Sequence, residues 1–426
     1  MKEKDHIEGF APEVAWVTKA GNSEMAEPCA IRPTSETVMY PYFAKWIRSH
    51  RDLPLKINQW CNVVRWEFKN PQPFLRTREF LWQEGHTAHA TQAEADAEVL
   101  TILEFYRQTY EDLLAVPVTP GVKSEKEKFA GALYTTTVEA FVPGSGRAIQ
   151  GGTSHCLGQN FSKMFDITFE NENAVEGAKK SHVWQNSWGF STRSIGVCIM
   201  VHGDDKGLVM PPRVALYQVV VIPCGITAKT SDEDRKFISG ESQKLGDMLR
   251  MADLRVTTDT RSNYTPGWKY SHWEQKGVPV RIEVGPKDLE KKSVMAVRRD
   301  TGEKISLEID TLAESLHKLM DTIHDDLFAK AKKETLAHKP IVESWEEFLT
   351  TLDAGNLCQM PWCEEVACEE SIKKDSTRSM DIDDKAPSMG AKSLCIPLVQ
   401  PADAKGKACV KCGKPAKSYT MFGRSY

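Results

Sequence analysis

At 426 residues the chain is too long for one ordinary hydrophobic core, and its length predicts two or three domains. With 41% hydrophobic and 27% charged residues it has a soluble globular composition, and no apolar run approaches the ~18 residues that a membrane-spanning helix needs. The net charge of −4 gives no global basic field, so any nucleic-acid contact must come from a local patch. The N-terminal MKEKDHIEGF has no apolar stretch behind its charges, so a secretory signal is not expected and the cytoplasm is the expected compartment.

Residues 1–212 are rich in aromatics and strand-like runs. Asn58 to Phe68 reads as one strand and Phe80 to His86 as a second, separated by KNPQPFLRTR, whose two prolines cannot continue a ladder. A helix follows, opened by Thr91 with Glu94 three residues on as a capping box. Val99, Ile102, Leu103, Tyr106, Tyr110 and Leu113 fall on one of its faces. A second hairpin runs from Thr135–Phe141 through the turn Pro143–Gly146 to Arg147–Gln150. Trp188 to Met200 begins as a strand and turns into a buried helix, and Pro211-Pro212 closes the domain.

In residues 213–335 the pattern becomes that of a small α/β domain. Tyr217–Pro223 is a run typical of a parallel strand buried on both faces. A helix to about Met251, strands at Leu254–Val256 and Val278–Val284, and a helix from about Ser306 to Ala329 follow. Residues 336–426 are polar and cysteine-rich, with a charged stretch at 369–391 expected as a loop. Six of the eleven cysteines lie in this last part, all but Cys395 in the two groups Cys358–Cys368 and Cys409–Cys412. Cys363-x4-Cys368 and Cys409-x2-Cys412 each bring two thiolates together, and four thiolates suit one structural zinc. Cys358 and Cys395 are left over. His86-x-x-His89 is not read as a metal site, because spacing by three on a strand points the two side chains to opposite faces.

Arg65 and Glu67 share a strand face, and Arg76 and Arg78 repeat that spacing across the loop. An isolated R-x-E is ordinarily a surface salt bridge. Here RWEF, a polar loop and RTREFLWQEGH together resemble motif 2 of the class II aminoacyl-tRNA synthetases. The resemblance implies that Arg65 bridges the amino-acid carboxylate and the ATP α-phosphate, that Glu67 receives the adenine amino group, and that Arg76 and Thr77 contact ATP.

Further stretches resemble the prolyl-tRNA synthetases of the eukaryotic and archaeal type. Arg32-Pro33-Thr34-Ser35-Glu36-Thr37 is similar to the loop in which Thr34 and Glu36 would hold proline's secondary ammonium. The same residues also read as a helix N-cap. Gln150-Gly151-Gly152-Thr153-Ser154-His155 resembles the family's loop bordering both substrates, with Gln150 and Thr153 at ATP and His155 at proline. Trp82 matches a wall of the proline pocket. Gly189–Ser194 resembles motif 3, which implies ATP contacts from Ser191, Thr192 and Arg193. Arg65 and Arg193 would carry catalysis, together with Mg2+.

The resemblance covers essentially the whole chain. It implies an α+β fold: a class II antiparallel sheet with helices (1–212), an α/β anticodon-binding domain (213–335) and a small zinc-bearing C-terminal domain (336–426) ending in F-G-R-S-Y. In the family the C-terminal tyrosine folds back towards the catalytic domain. Glu283, Lys287, Arg298, Arg299 and Asp300 lie near strand ends of the middle domain and would read guanine edges. The implied activity is proline–tRNA ligation, with proline, ATP and tRNA(Pro) as partners and a homodimer as the full-length assembly. The sequence opens just after the position of motif 1, the family's dimer-building segment, and has no room for a large editing insertion between motifs 2 and 3. A synthetase-like protein that holds tRNA without charging it is the other reading. A threonyl ligase would need a zinc-binding set inside the pocket, which the sequence does not offer.

Overall fold

Residues 14–66, 71–171, 180–227, 229–377 and 389–426 are described in the computed structural model. Their contacts divide the chain into two units. One joins Met1–Thr109, Val118–Val197 and Thr335–Tyr426, and the other joins Tyr110–Pro117 to Cys198–Glu334.

The first unit opens with a hairpin, β1 (Trp16–Ala20) and β2 (Ser23–Ala30), followed by helix α1 (Glu36–Trp46). Strands β3 (Leu55–Val64) and β4 (Glu79–His89) pair antiparallel over their full length. Helix α2 (Gln92–Gln108) begins at the expected capping box, with the Thr91 side chain accepting from Glu94 N–H and the Glu94 carboxylate accepting from Thr91 N–H. Val99, Leu103 and Tyr106 on its inner face are buried. Next come β5 (Val118–Val122), β6 (Tyr134–Val142), β7 (Arg147–Gly158), helix α3 (Asn160–Phe165), the small pair β8 (Thr168–Glu170) and β9 (Lys180–His182), then β10 (Trp184–Ser191), which runs into helix α4 (Arg193–His202).

The second unit is a five-stranded sheet. Strands β11 (Val219–Pro223), β12 (Val256–Thr258) and β13 (Val280–Val284) are parallel, with helices α5 (Asp232–Met251) and α6 (Pro266–Gln275) in the crossovers. Helix α7 (Pro286–Glu290) then leads to the antiparallel hairpin of β14 (Ser293–Arg298) and β15 (Lys304–Glu308), and helix α8 (Leu312–Ala337) follows. The sequence reading missed β14 and started the last helix at Ser306. Ser306 lies in β15, whose alternating exposure is the two-residue period of a strand.

The C-terminal segment adds helix α9 (Trp345–Asp353), β16 (Cys358–Trp362), helix α10 (Val366–Asp375), β17 (Lys392–Pro397) and β18 (Ser418–Gly423). The stretch 369–391, expected as a loop, therefore continues a helix to Asp375, while 378–388 lie outside the described residues. The segment expected as a separate domain at 336–426 shares a sheet with the first one. The nine strands run in the order β16-β18-β17-β5-β6-β7-β10-β4-β3. The joint is β17 on β5, Ile396 opposite Val122 and Pro397 opposite Gly121. Gly121 is required there, since a Cβ would stand 2.6 Å from Cys395.

Two further differences concern the site. The expected strand through Phe68 ends at Val64, although Arg65 N–H still donates to Arg78 O at 2.7 Å. The stretch Gln150–His155, expected as a loop, is the middle of β7. It carries a bulge: Val138 pairs with Gly152 and Glu139 with Gln150, leaving Gly151 unmatched.

One strand in from the β3 edge, Gly85 of β4 lies opposite Trp188 of β10, and a Cβ on Gly85 would fall 2.0 Å from the Trp188 ring. Gly85→Ala is expected to destabilise the first unit by about 1–3 kcal/mol, the ordinary range for overpacking a filled core. Urea unfolding of the two proteins measures this, and an unchanged midpoint would contradict it.

Candidate active site and thiolate cluster

Five pieces of the first unit wall a single cavity of about 200 Å³: the turn into α1 (Thr34, Glu36), the β3–β4 hairpin (Arg65, Phe80, Trp82, Glu84), β5 with the residues after it (Lys123, Glu127, Phe129), the β6–β7 hairpin (Thr135, Gln150, Thr153, His155), and β10 with the start of α4 (Ser187, Ser191, Arg193). Nine expected site residues thus converge: Thr34, Glu36, Arg65, Trp82, Gln150, Thr153, His155, Ser191 and Arg193.

Part of the cavity lining is acidic and held by hydrogen bonds. The Thr34 hydroxyl donates to Glu36, and Ser35, the N-cap of α1, donates to Glu84 Oε1 at 2.5 Å. Ser35 stands at the N-cap position, but its side chain makes no capping bond and is turned to Glu84 instead. Glu84 also accepts from Gln59 Nε2 at 2.6 Å and lies 3.0 Å from His86 Nε2. Burial alone would raise its pKa, but the bonds from His86 and Ser35 hold it below the ordinary carboxylate value. Tyr40, kept protonated by burial, has its hydroxyl 3.0 Å from His86 Nδ1, and the Nε2 atom of the same ring faces Glu84.

Two guanidiniums line the same cavity. Arg65 Nε donates to Pro33 O at 2.9 Å, and its guanidinium lies 5.4 and 5.5 Å from the Phe80 and Trp82 ring centres. Arg193 Nε donates to Leu75 O at 3.0 Å and Nη1 to Gln150 O at 3.3 Å. Two backbone carbonyls thus aim a fork-shaped cation that suits phosphate or carboxylate oxygens. His155, also in the lining, stacks on Phe129 at 4.6 Å, with Thr135 Oγ1 at 2.9 Å from Nδ1 and Thr153 Oγ1 at 3.1 Å from Nε2. Burial above all, then the Arg65 and His86 charges, pushes the imidazole down to about 3. It is neutral at physiological pH.

The remaining expected residues stand elsewhere. Arg76 closes the loop by exchanging backbone bonds with Gln72, Thr77 is half-buried beside it, and Thr192 N–H donates to Leu81 O at 3.1 Å. None of these three lines the cavity. Glu67 lies outside the described residues. Sequence reasoning missed Glu84, Lys123, Glu127, Phe129, Thr135 and Ser187. The alternation Trp82, Glu84, His86 along β4 was a usable signal, because it places Glu84 on the face of Trp82. Lys123 and Thr135 carried none. The two histidines of His86-x-x-His89 serve separate carboxylates, Glu84 at 3.0 Å and Glu98 at 2.7 Å.

The C-terminal segment gathers the expected thiols. The Sγ atoms of Cys363, Cys368, Cys409 and Cys412 lie within 4.8 Å of one another. Cys368 and Cys409 are 3.7 Å apart, and Cys412 and Cys363 are 3.6 Å apart. A tetrahedron of thiolates around zinc has edges of about 3.8 Å, so the four atoms fit that ion. Cys358 and Cys395 are not in this group. The chain then ends against the active-site strand: Tyr426 N–H donates to Ala148 O at 3.0 Å and Ala148 N–H to Arg424 O at 2.8 Å.

Comparison with known proteins agrees with this architecture. Residues 17–202 match the family model of the tRNA synthetase class II core domain (G, H, P, S and T). Residues 218–319 match the anticodon binding domain, and residues 345–426 match the C-terminal domain of prolyl-tRNA synthetase. The fold and cavity are those of a class II aminoacyl-tRNA synthetase. All of this chain aligns with a putative proline–tRNA ligase of Schizosaccharomyces pombe at 60% identity and with one of Saccharomyces cerevisiae at 57%, covering 61% and 62% of those proteins. It aligns at 56% identity with the cytoplasmic proline–tRNA ligase of Arabidopsis thaliana, of which it covers 77%. The chain belongs to the proline–tRNA ligase family. It spans about three fifths of the length of the two fungal relatives.

The neutral state of His155 has a consequence for stability. Above about pH 6.5 neither the folded nor the unfolded chain protonates this imidazole, so it contributes no pH dependence there. As the pH falls towards about 3 the unfolded chain takes up a proton that the folded chain refuses, and stability drops. His155→Gln is expected to show a shallower fall in unfolding free energy between about pH 6 and about pH 4 than the parent. Parallel slopes in paired urea titrations would show that His155 protonates normally.

Proposed function

We propose that this protein activates proline with ATP and transfers it to tRNA(Pro). The observation that carries the reading is one cavity lined by the carboxylates of Glu36 and Glu84 with Thr34, an aromatic wall at Trp82, a neutral His155, and the guanidiniums of Arg65 and Arg193. A secondary ammonium with two hydrogens takes the Glu36 and Thr34 acceptors, and the pyrrolidine ring lies against Trp82. A neutral imidazole adds no second cation to repel it. The carboxylate then points towards Arg65, which holds it in line with the α-phosphorus of ATP.

In the first step a proline carboxylate oxygen attacks that phosphorus, forming the P–O bond of prolyl-adenylate and expelling pyrophosphate. In the second, a terminal ribose hydroxyl of tRNA attacks the prolyl carbonyl carbon and AMP leaves. Neither step requires a nucleophilic side chain. Arg65 and Arg193 act by alignment and by neutralising charge on the phosphates. Gln150, Thr153 and Ser191 face the nucleotide, while Glu67, Arg76, Thr77 and Thr192 are assigned to it by family resemblance. Mg2+, a hard cation that favours phosphate oxygens and water, would be carried in with the triphosphate. Zinc would be held by Cys363, Cys368, Cys409 and Cys412 in a closed structural site.

The homodimer and the cytoplasmic location belong to the same proposal. β3 is the outermost strand of the nine, and Trp60 on it is 81% exposed, which favours cover by a second copy. Among the described residues no helix is long and apolar enough to cross a membrane, and the Arabidopsis relative is named cytoplasmic.

Two experiments test these assignments. Arg65→Ala is expected to abolish proline-dependent pyrophosphate exchange, a loss of about 100-fold or more, while the far-UV circular dichroism stays unchanged. Exchange at near the parental rate would remove Arg65 from the reaction. For the thiolates, the purified protein should carry about one zinc per chain by elemental analysis, and Cys409→Ser should lose it yet keep exchange activity. Zinc that survives the substitution would reject the four-cysteine site.

A further inference from the structure

The first unit carries a second concavity, of about 650 Å³, that shares no lining residue with the catalytic cavity. It opens beside Val118–Pro120, where β17 has paired with β5 for only two residues and then turns away at Leu398. Its walls are apolar. Leu100 comes from α2, Leu336 from the last turn of α8, and Leu398 and Val399 from the turn after β17. Leu336 is 58% exposed and Val399 87%. Large apolar side chains gathered around one groove in water mark a place where something docks.

The turn that carries Leu398 and Val399 is pinned in place. Leu398 N–H donates to Pro120 O at 3.0 Å. Gln400 Nε2 donates to Pro397 O at 2.8 Å and to Tyr419 O at 3.2 Å, while its Oε1 accepts from Tyr419 N–H at 2.7 Å. Both ends of one amide thus tie the turn to β18, and Pro397 and Pro401 stiffen it on either side. A wall fixed in this way needs little ordering when a ligand arrives.

Two charged side chains line the groove, Glu104 and Lys339. Glu104 is neutralised by Arg107, 2.6 Å away on the same helix. Lys339 Nζ donates to Thr119 Oγ1 at 3.2 Å, and among the described residues it has no carboxylate partner. Its main chain is held as well, with Gln359 Nε2 donating to Lys339 O at 3.2 Å. Burial pushes the Lys339 ammonium below the ordinary lysine pKa, the mark of a cation drawn out of water without a counter-ion. Such a charge is costly until an anion reaches it.

We propose that this groove binds a small molecule with an apolar body and a single carboxylate, the body lying along Leu100, Leu336, Leu398 and Val399 and the carboxylate meeting Lys339. The volume falls within the several hundred to about 1,000 Å³ of small-molecule sites. One cation without a counter-ion matches one negative charge. A nucleic-acid strand or an acidic peptide brings a row of charges, for which these walls offer no further cation. A medium-chain fatty acid has the required chemistry. The inference stands on this groove alone and is independent of the ligase reading.

The test titrates the full chain with decanoate by isothermal calorimetry, below the concentration at which the acid forms micelles. The parent is expected to bind one decanoate per chain. Lys339→Met keeps the apolar stem and removes the charge, and it should weaken binding by about 10-fold or more, as for a lost hydrogen bond to a charged group. Lys339→Arg should retain most of the affinity, and melting temperatures of both variants report structural damage. Decyltrimethylammonium, the same chain with the opposite charge, should show the reverse order and bind Lys339→Met more tightly than the parent. No decanoate binding by the parent would overturn the site, and so would equal decanoate affinity for the parent and Lys339→Met. Sedimentation of the parent and Val399→Glu tests the rival occupant. An unchanged oligomeric state supports the small-molecule site, whereas a shift would assign the groove to a second copy of the chain and overturn it.

Discussion

Glu84 sits in the interior of the β4 strand with 1% of its surface exposed, and a carboxylate placed there stays ionised only if it is surrounded by donors. Ser35, Gln59, Cys61 and His86 supply them from three different elements. The turn into α1, the edge strand β3 and its neighbour β4 are therefore tied at one carboxylate. Thr34 and Glu36 inherit their positions from that tie, because the Ser35 between them is the residue Glu84 holds. A negative charge kept below its ordinary protonation point also sets the sign of the amino-acid part of the cavity.

The nine-stranded sheet extends the same logic outwards. Gly85 and Gly189 give way to the rings of Trp188 and Trp82, which lets two tryptophans pack on the β4–β10 pair of a crowded antiparallel sheet. The bulge at Gly151 turns Gln150 so that its carbonyl meets Arg193. Three residues before that bulge, Ala148 takes the backbone of Arg424 and Tyr426. The C-terminal segment is thus part of the frame around the cavity, and the thiolate cluster lies in the segment that supplies its last three strands. Lys123 shows the same coupling, since this cavity-lining cation bonds both Glu139 and the carbonyl of Leu394.

Much of this was legible in the residues because it is local. The capping box at Thr91 and Glu94, the β6–β7 hairpin turn, the apolar run at Val219–Pro223 and the paired cysteine spacings all depend on neighbours within a few positions. The site was also largely legible, since Arg65, Arg193, Thr34, Glu36 and His155 lie in short stretches whose resemblance to a known family is itself local.

What only the tertiary structure decided are matters of partnership across long separations. No periodicity shows that β17 adds to β5, some 270 positions earlier in the chain by the Lys123–Leu394 bond, or that α10 replaces a charged loop. Arg298 and Arg299 look like free cations in the sequence until Asp300, Asp326 and Asp204 fold against them. Tyr264, Trp268 and His272 had the spacing of an ordinary apolar helix face, and only the packing of α6 left that face in solvent. Sequence by itself determined the residue types, the local elements and the family. The fold decided which charges are spent on one another and which remain for a ligand, because pairing and burial are properties of distance in space and not of distance along the chain.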